Sequence, residues 1–166
     1  MTFGVREATV DDVPRIAAIY NQGIEDRIAT FETRLRSEDD VRGWFDGVHP
    51  ICVAEQDGQV VAFAASSAYR ARECYAGIAE VSIYVERSAR GKGVGHAALR
   101  ALVVACERRG FWKLVSRVFV ENQASRGLVR ASGFREVGTY ERHARLDGQW
   151  RDVVIVEKLI GEAAKN

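Results

Sequence analysis

Between Ala79 and Gly110 the sequence AEVSIYVERSARGKGVGHAALRALVVACERRG changes period. Alternating apolar residues give way to a glycine cluster, after which the apolar positions recur at helical spacing. A strand, a tight turn and a helix in that order put the glycines where the first free N–H groups of a helix point outwards. Those groups and the helix dipole favour an anion, above all a phosphate or pyrophosphate, and glycines let the backbone approach its oxygens. The turn comprises Arg90, Gly91, Lys92, Gly93, Val94 and Gly95. A plain strand-to-helix turn requires fewer glycines than the three that alternate here.

Two nucleotide-binding patterns compete for such a turn. The Walker A loop needs G-x-x-x-x-G-K-[ST], which occurs nowhere in the chain. The dinucleotide pattern G-x-G-x-x-G/A is met by Gly93, Gly95 and Ala98, with Glu121 at the end of the next strand. Chain order argues against it. The strands before the turn are linked by a hairpin, and only about 70 residues follow, too few for the rest of a doubly wound sheet.

The remaining elements follow from local signals. Thr9 and Asp12 form a capping-box-like start, and Val13, Ile16, Ala17, Tyr20 and Ile24 recur at helical spacing with Pro14 in the first turn. Ser37 with Asp40 repeats the signal before Val41, Trp44, Phe45 and Val48, which predicts a second helix ending near His49 and Pro50. Ile51 to Gln56 and Gln59 to Ala68 read as strands joined by an Asp57-Gly58 hairpin turn. After the polar YRARE segment come a strand from Ala79 to Val85, the glycine turn, a helix to about Arg109 and a strand from Lys113 to Val120. A helix from about Gln123 to Ser132, closed by Gly133, and two strands meeting at Asp147-Gly148 complete the order. The tail at 161–166, GEAAKN, is expected to fray.

With 166 residues and no repeat or linker, a single domain over 1–166 is expected. The 24 basic and 23 acidic residues are spread along the chain, so no nucleic-acid or membrane partner is implied; a small molecule or another protein fits better. Charges within the first dozen residues and the lack of a long apolar run predict a soluble, cytoplasmic protein. Cys52, Cys74 and Cys106 are odd in number and widely spaced, which predicts bystander thiols and no metal site.

The R-x-x-G-x-G of Arg90, Gly93 and Gly95, followed by an Asn at the end of the next strand, resembles the acetyl-CoA site of the GNAT acyltransferases, and the element order is similar over nearly the whole chain. Within that family, IYNQGIEDRIATFET, YRARE, AEVSIYV and GQWRDV resemble the phosphinothricin acetyltransferase branch; GFWKLVSRVFVEN and LDGQWRDVVIVEKLI are most similar to the arsinothricin N-acetyltransferases. The resemblance implies an α+β fold, a mixed and mostly antiparallel splayed sheet flanked by helices, with acetyl-CoA where the strands from Ala79 and Lys113 diverge. It implies that residues 90–95 wrap the pyrophosphate, that Ile83, Tyr84 and Val85 pair with the pantetheine arm, and that Asn122 and Ser125 hold the same arm. As the first residue of the family's E-x-x-x-Y-V pattern, Glu80 is expected to take the proton of the attacking amine, provided burial raises its pKa. Arg70 and Arg72 alternate along a segment expected to be extended, which would let both face one side; the resemblance implies that they grip the anionic end of a phosphinothricin-, arsinothricin- or methionine sulfoximine-like amino acid, with two solvated charges in a loop beside Glu73 as the other reading. Phe31 occupies the family's aromatic position near the acceptor, with core packing as the other reading, and the resemblance implies a homodimer.

The chain departs from the family pattern at two positions. Val129 stands where a Tyr or His is common, which removes a general acid for the departing sulfur, and Leu146 stands where the branch commonly has Lys. His143 is read as a surface residue, with the acceptor cleft as the other reading. A polyamine or protein N-terminus as acceptor, or a non-catalytic acyl-CoA-binding module, are the competing functions.

Overall fold

The computed structural model describes residues 3–165. Strand β1 (Gly4–Glu7) leads into a 3-10 turn (Val10–Asp12) and helix α1 (Val13–Asp26); helix α2 (Glu38–Arg42), strands β2 (Ile51–Gln56) and β3 (Gln59–Ala68), and strand β4 (Ile78–Val85) follow. Helix α3 (Val94–Arg108), strand β5 (Lys113–Phe119), helix α4 (Gln123–Ala131), and strands β6 (Arg135–Leu146) and β7 (Gln149–Leu159) complete the order. Among the described residues all strands join one sheet in the order β1-β2-β3-β4-β5-β7-β6, in which only β4 and β5 are parallel. The fold is α+β, as expected.

Local chemistry explains most boundaries. The Thr9 N–H donates to the Asp12 carboxylate at 2.9 Å, and the N–H groups of Ser37 and Asp40 donate to each other's side chains at 2.8 and 3.1 Å, so both anticipated capping boxes form. Both hairpin turns carry positive φ at both central residues, 53° and 78° at Asp57-Gly58 and 51° and 78° at Asp147-Gly148, as type I′ turns require. One strand was not anticipated, and two expectations need correction. Strand β1 has no alternation of its own to announce it and forms because β2 offers an edge, with Val5 opposite Ala54. Helix α2 stops at Arg42, well before His49, because the Asp46 carboxylate accepts the N–H groups of Val48 and His49 at 2.8 and 2.7 Å, a turn that competes with the helix. Residues Gly161–Ala164 form a 3-10 turn behind the buried Ile160 where fraying was expected; Asn166 lies outside the described residues.

The sheet is packed on both faces. Val94, Ala98, Leu99, Leu102, Ala105 and Cys106 of α3 lie on Ala62, Ala64, Ala79, Val81 and Leu114. Ile16 and Ile19 of α1, with Val41 of α2, cover Val53, Val60 and Phe63 on the other side. Burial pushes the thiols of Cys52 and Cys106 up to about 12 and about 11, which leaves both inert, whereas Cys74 is exposed; all three are free. Among the described residues, no helix is long and apolar enough to cross a membrane.

Candidate active site

Strands β4 and β5 pair only over Ile78, Ala79 and Glu80 against Lys113, Leu114 and Val115. Beyond that point β4 continues on β3 and β5 on β7, so the sheet splits while each half keeps a partner. At the fork the Ser116 hydroxyl donates to the Val81 carbonyl at 2.8 Å. A cavity of about 810 Å³ opens from there between residues 81–85 and 116–119. Backbone direction in β4 can be read from two bonds. The Glu86 N–H donates to Val61 on the β3 side at 2.7 Å, and the Val81 carbonyl turns towards β5. Because a strand's polar groups alternate sides, Ile83 presents its N–H and C=O to the gap and Val85 its N–H. The Val85 carbonyl takes Nε–H of Arg90 at 3.2 Å.

The glycine turn closes one end of the cavity. Gly91 and Gly93 have φ of 80° and 86°, with nothing within 4 Å of where a Cβ would stand. Gly93 caps α3 without any side chain over the helix start, and the first intrahelical bond runs from the Ala97 N–H to the Gly93 carbonyl at 3.2 Å. The N–H groups of Val94, Gly95 and His96 therefore have no acceptor within the helix. Gly95 serves packing instead: a Cβ there would stand 2.9 Å from Leu128 Cδ1 and 3.0 Å from Val85 Cγ2. Open glycines, free helix-terminal donors and an unpaired strand edge fit a pyrophosphate with an amide-bearing arm. Lys92 is not among the residues that line the cavity.

A clamp from α1 holds this turn. Asp26 receives Arg90 Nη1 at 2.7 Å and Arg87 Nη2 at 2.8 Å. The hydrogen bond from Arg87, with that from Arg90 added, holds the Asp26 carboxyl below the usual carboxylate range against the opposing effect of burial. A depressed carboxylate contributes stability that is complete above its unfolded pKa of ~4 and is lost as pH falls through the folded value. Asp26→Asn is expected to lower the melting temperature by ~2–4 °C at pH 7 and to weaken acetyl-CoA binding several-fold. The difference in melting temperature should shrink in scans below pH ~4.

On the acceptor side, Glu80, Ser82 and Tyr84 of β4 share a sheet face with Arg117 and Phe119 of β5. Phe31 meets Phe119 edge to face at 4.9 Å, packs in a small apolar cluster with it and lines the cavity. Glu80 also lines it and is partly buried. Its side chain is 30% exposed, and Oε1 accepts from Arg117 Nη2 at 2.6 Å. Asn122 caps α4, accepting the Ser125 N–H at 3.1 Å, and its amide donates to the Ile28 carbonyl at 3.0 Å, tying down the loop that carries Phe31. Both Asn122 and Ser125 line the cavity.

Arg70 and Arg72 are not brought into the cavity. Their segment is a bend followed by a 3-10 turn (Glu73–Tyr75), not a strand. Arg70 lies 4.3 Å from the Tyr69 ring and Arg72 5.9 Å from the Tyr75 ring, the two rings meeting edge to face at 6.0 Å. Cation–π stacking within a local turn replaces the alternation assumed for a strand. His143 reaches the cavity mouth, because a bulge between Tyr140 and Ala144 displaces β6 against β7, with Arg142 at φ 48°. Sequence reasoning missed Arg117 and Ser116. Their only local signal is alternation along β5, which gives no hint that the fork opens beside them.

Residues 16–134 match the model of the "Acetyltransferase (GNAT) family". The phosphinothricin N-acetyltransferase of Alcaligenes faecalis is 33% identical over 93% of this chain and 81% of its own. The L-methionine sulfoximine/L-methionine sulfone acetyltransferase of Pseudomonas paraeruginosa is 32% identical over 95% and 94%. Among solved structures, a GNAT superfamily phosphinothricin acetyltransferase from Sinorhizobium meliloti in complex with acetyl-CoA superposes with a TM-score of 0.92 at 32% identity, covering 99% of this chain and 91% of that one. With its forked sheet and open glycine turn, this chain belongs to the GNAT acetyltransferase family and is an acetyl-CoA-dependent N-acetyltransferase.

Proposed function

We propose that the enzyme acetylates the α-amino group of a small amino acid whose side chain ends in a tetrahedral anionic or strongly polar group, of the phosphinothricin, methionine sulfoximine or arsinothricin type. Such an activity inactivates toxic amino-acid analogues and confers resistance. The carrying observation is Glu80, a carboxylate at the fork beside the inward-facing N–H groups of Ile83 and Val85, facing a space walled by Phe31 and Phe119. The substrates named for the similar enzymes point the same way.

Acetyl-CoA supplies the activated acetyl group and a thiol leaving group. Glu80 takes a proton from the acceptor ammonium, directly or through one water. The N–H of Ile83 or Val85 donates to the carbonyl oxygen as negative charge develops there, an effect worth ~3 kcal/mol. Residues 90–95 hold the pyrophosphate, and the edge of Ile83, Tyr84 and Val85 with Asn122 and Ser125 holds the arm. Val129 is buried and donates no proton, so the sulfur departs as thiolate, which a thiol pKa of ~8.5 permits. Arg70 and Arg72, outside the cavity as it stands, are the charges proposed for the distal anion. Both are exposed, and they follow closely on Ser67, the β3 partner of Glu80.

The same reading makes the protein a single-domain, cytoplasmic homodimer. In its support, β6 is an edge strand exposed along nearly its whole length, with Val137 and Tyr140 on it and Trp150 on its neighbour. A thiol-release assay with acetyl-CoA against phosphinothricin, methionine sulfoximine, arsinothricin and spermidine tests the acceptor class. Release with at least one of the amino acids and none with spermidine is expected. Release with spermidine alone would establish the polyamine reading, and silence with every acceptor alongside intact acetyl-CoA binding would favour a non-catalytic module.

A further inference from the structure

We infer that Arg117 is the receptor for the acceptor's α-carboxylate and the residue that selects α-amino acids over plain amines. This rests on the reading above that the acceptor is a small amino acid. Glu80 is the last β4 residue paired with β5, opposite Val115, and Arg117 lies two residues further along β5, on the same face and just past the fork. Both line the cavity. They bind each other at 2.6 Å, and Arg117 is 44% exposed. That single bond uses one of the five N–H donors of a guanidinium, and the others have no hydrogen-bond partner among the described residues.

An α-amino acid carries an ammonium and a carboxylate on adjacent carbons. The ammonium needs an acceptor such as Glu80, the carboxylate a planar donor such as Arg117, and a guanidinium matches a carboxylate in two parallel bonds. Each residue thus stands in for the group that the other will bind. When the zwitterion enters, one internal ion pair is exchanged for two with the substrate, and no charge is left without a partner. A plain amine offers nothing to Arg117, so Arg117 keeps competing for Glu80 and the amine is held less well. The exchange also releases Glu80 next to the nitrogen whose proton it takes.

The test compares L-methionine sulfone with its α-carboxamide as acceptors in wild type, Arg117→Ala and Arg117→Lys, by thiol release, with acetyl-CoA binding and thermal melting as controls. Lowered basicity of the amide's amine affects all three proteins alike and cancels in the ratio. In the Ala variant KM for the free acid should rise at least ~10-fold, and the preference in kcat/KM for acid over amide should fall by a similar factor. Lys, which keeps the charge and loses the fork, should fall between. Acetyl-CoA affinity should change less than about twofold. An equal loss on acid and amide would overturn the inference, showing that Arg117 acts only through Glu80; so would no loss on either. A wild type that acetylates no amino acid would remove the acceptor reading and this inference with it. A wild type that does, with an unchanged acid-to-amide ratio in Arg117→Ala, would remove this inference alone.

Discussion

Glu80→Gln is expected to lower kcat and kcat/KM together by about 10²-fold or more, with acetyl-CoA affinity unchanged to within about twofold. The substitution is close to isosteric, and the amide oxygen still accepts from Arg117, so the fork keeps its geometry. What is lost is the ability to take up a proton. The side chain is only partly enclosed and stands in an ion pair, so on the proposed mechanism the substrate must first uncouple the carboxylate from Arg117. The proposed role of Glu80 depends on position: Ser67 on one side and Val115 on the other fix its backbone beside the strand edge proposed to receive the acetyl group. A loss confined to KM would make Glu80 a binding residue for the ammonium. Full turnover across the pH range in the Gln variant would place the base elsewhere.

Phe63→Ala should be the most damaging single truncation on the acceptor side, costing about 3–5 kcal/mol. Phe63 is fully buried, stacks on Tyr84 with centroids 5.5 Å apart and meets Trp44 at 6.0 Å. Tyr84 is fitted against α1 so closely that a Cβ at Gly23 would come within 2.7 Å of its ring. Removing Phe63 leaves a cavity under the strand that carries Glu80 and Ile83, between two elements held rigid by the sheet and α1, so collapse is limited. A melting temperature lower by on the order of 10 °C and a reduced denaturant midpoint are expected, with KM for the acceptor rising as Tyr84 loses its support. A cost below ~1 kcal/mol would mean that Tyr20, Tyr84 and Trp44 repack into the space.

The glycine turn was legible because each signal in it is local. Positive φ at Gly91 and Gly93 and exposed donors at the start of α3 depend on residues next to one another in the chain. The same holds for the two capping boxes and the two type I′ hairpins. Phe31 and Asn122 were found through likeness to a family pattern, and the structure shows them joined by the loop that Asn122 ties down at Ile28. Arg70 and Arg72 failed as an alternating pair because two nearby tyrosines offer stacking partners, a choice that periodicity alone does not reveal.

By itself the sequence determined where strands give way to helices and which turn can hold an anion, since dihedral preference, capping and alternation act over a few residues. It also determined the family, through motifs carried along the chain. Only the tertiary structure decided that β4 and β5 part after Glu80, that Arg117 closes on that carboxylate, and that a bulge in β6 carries His143 to the cavity mouth. Those features depend on register between segments far apart in the chain, and side-chain pairing across a fork is set by which strands meet and where they stop meeting.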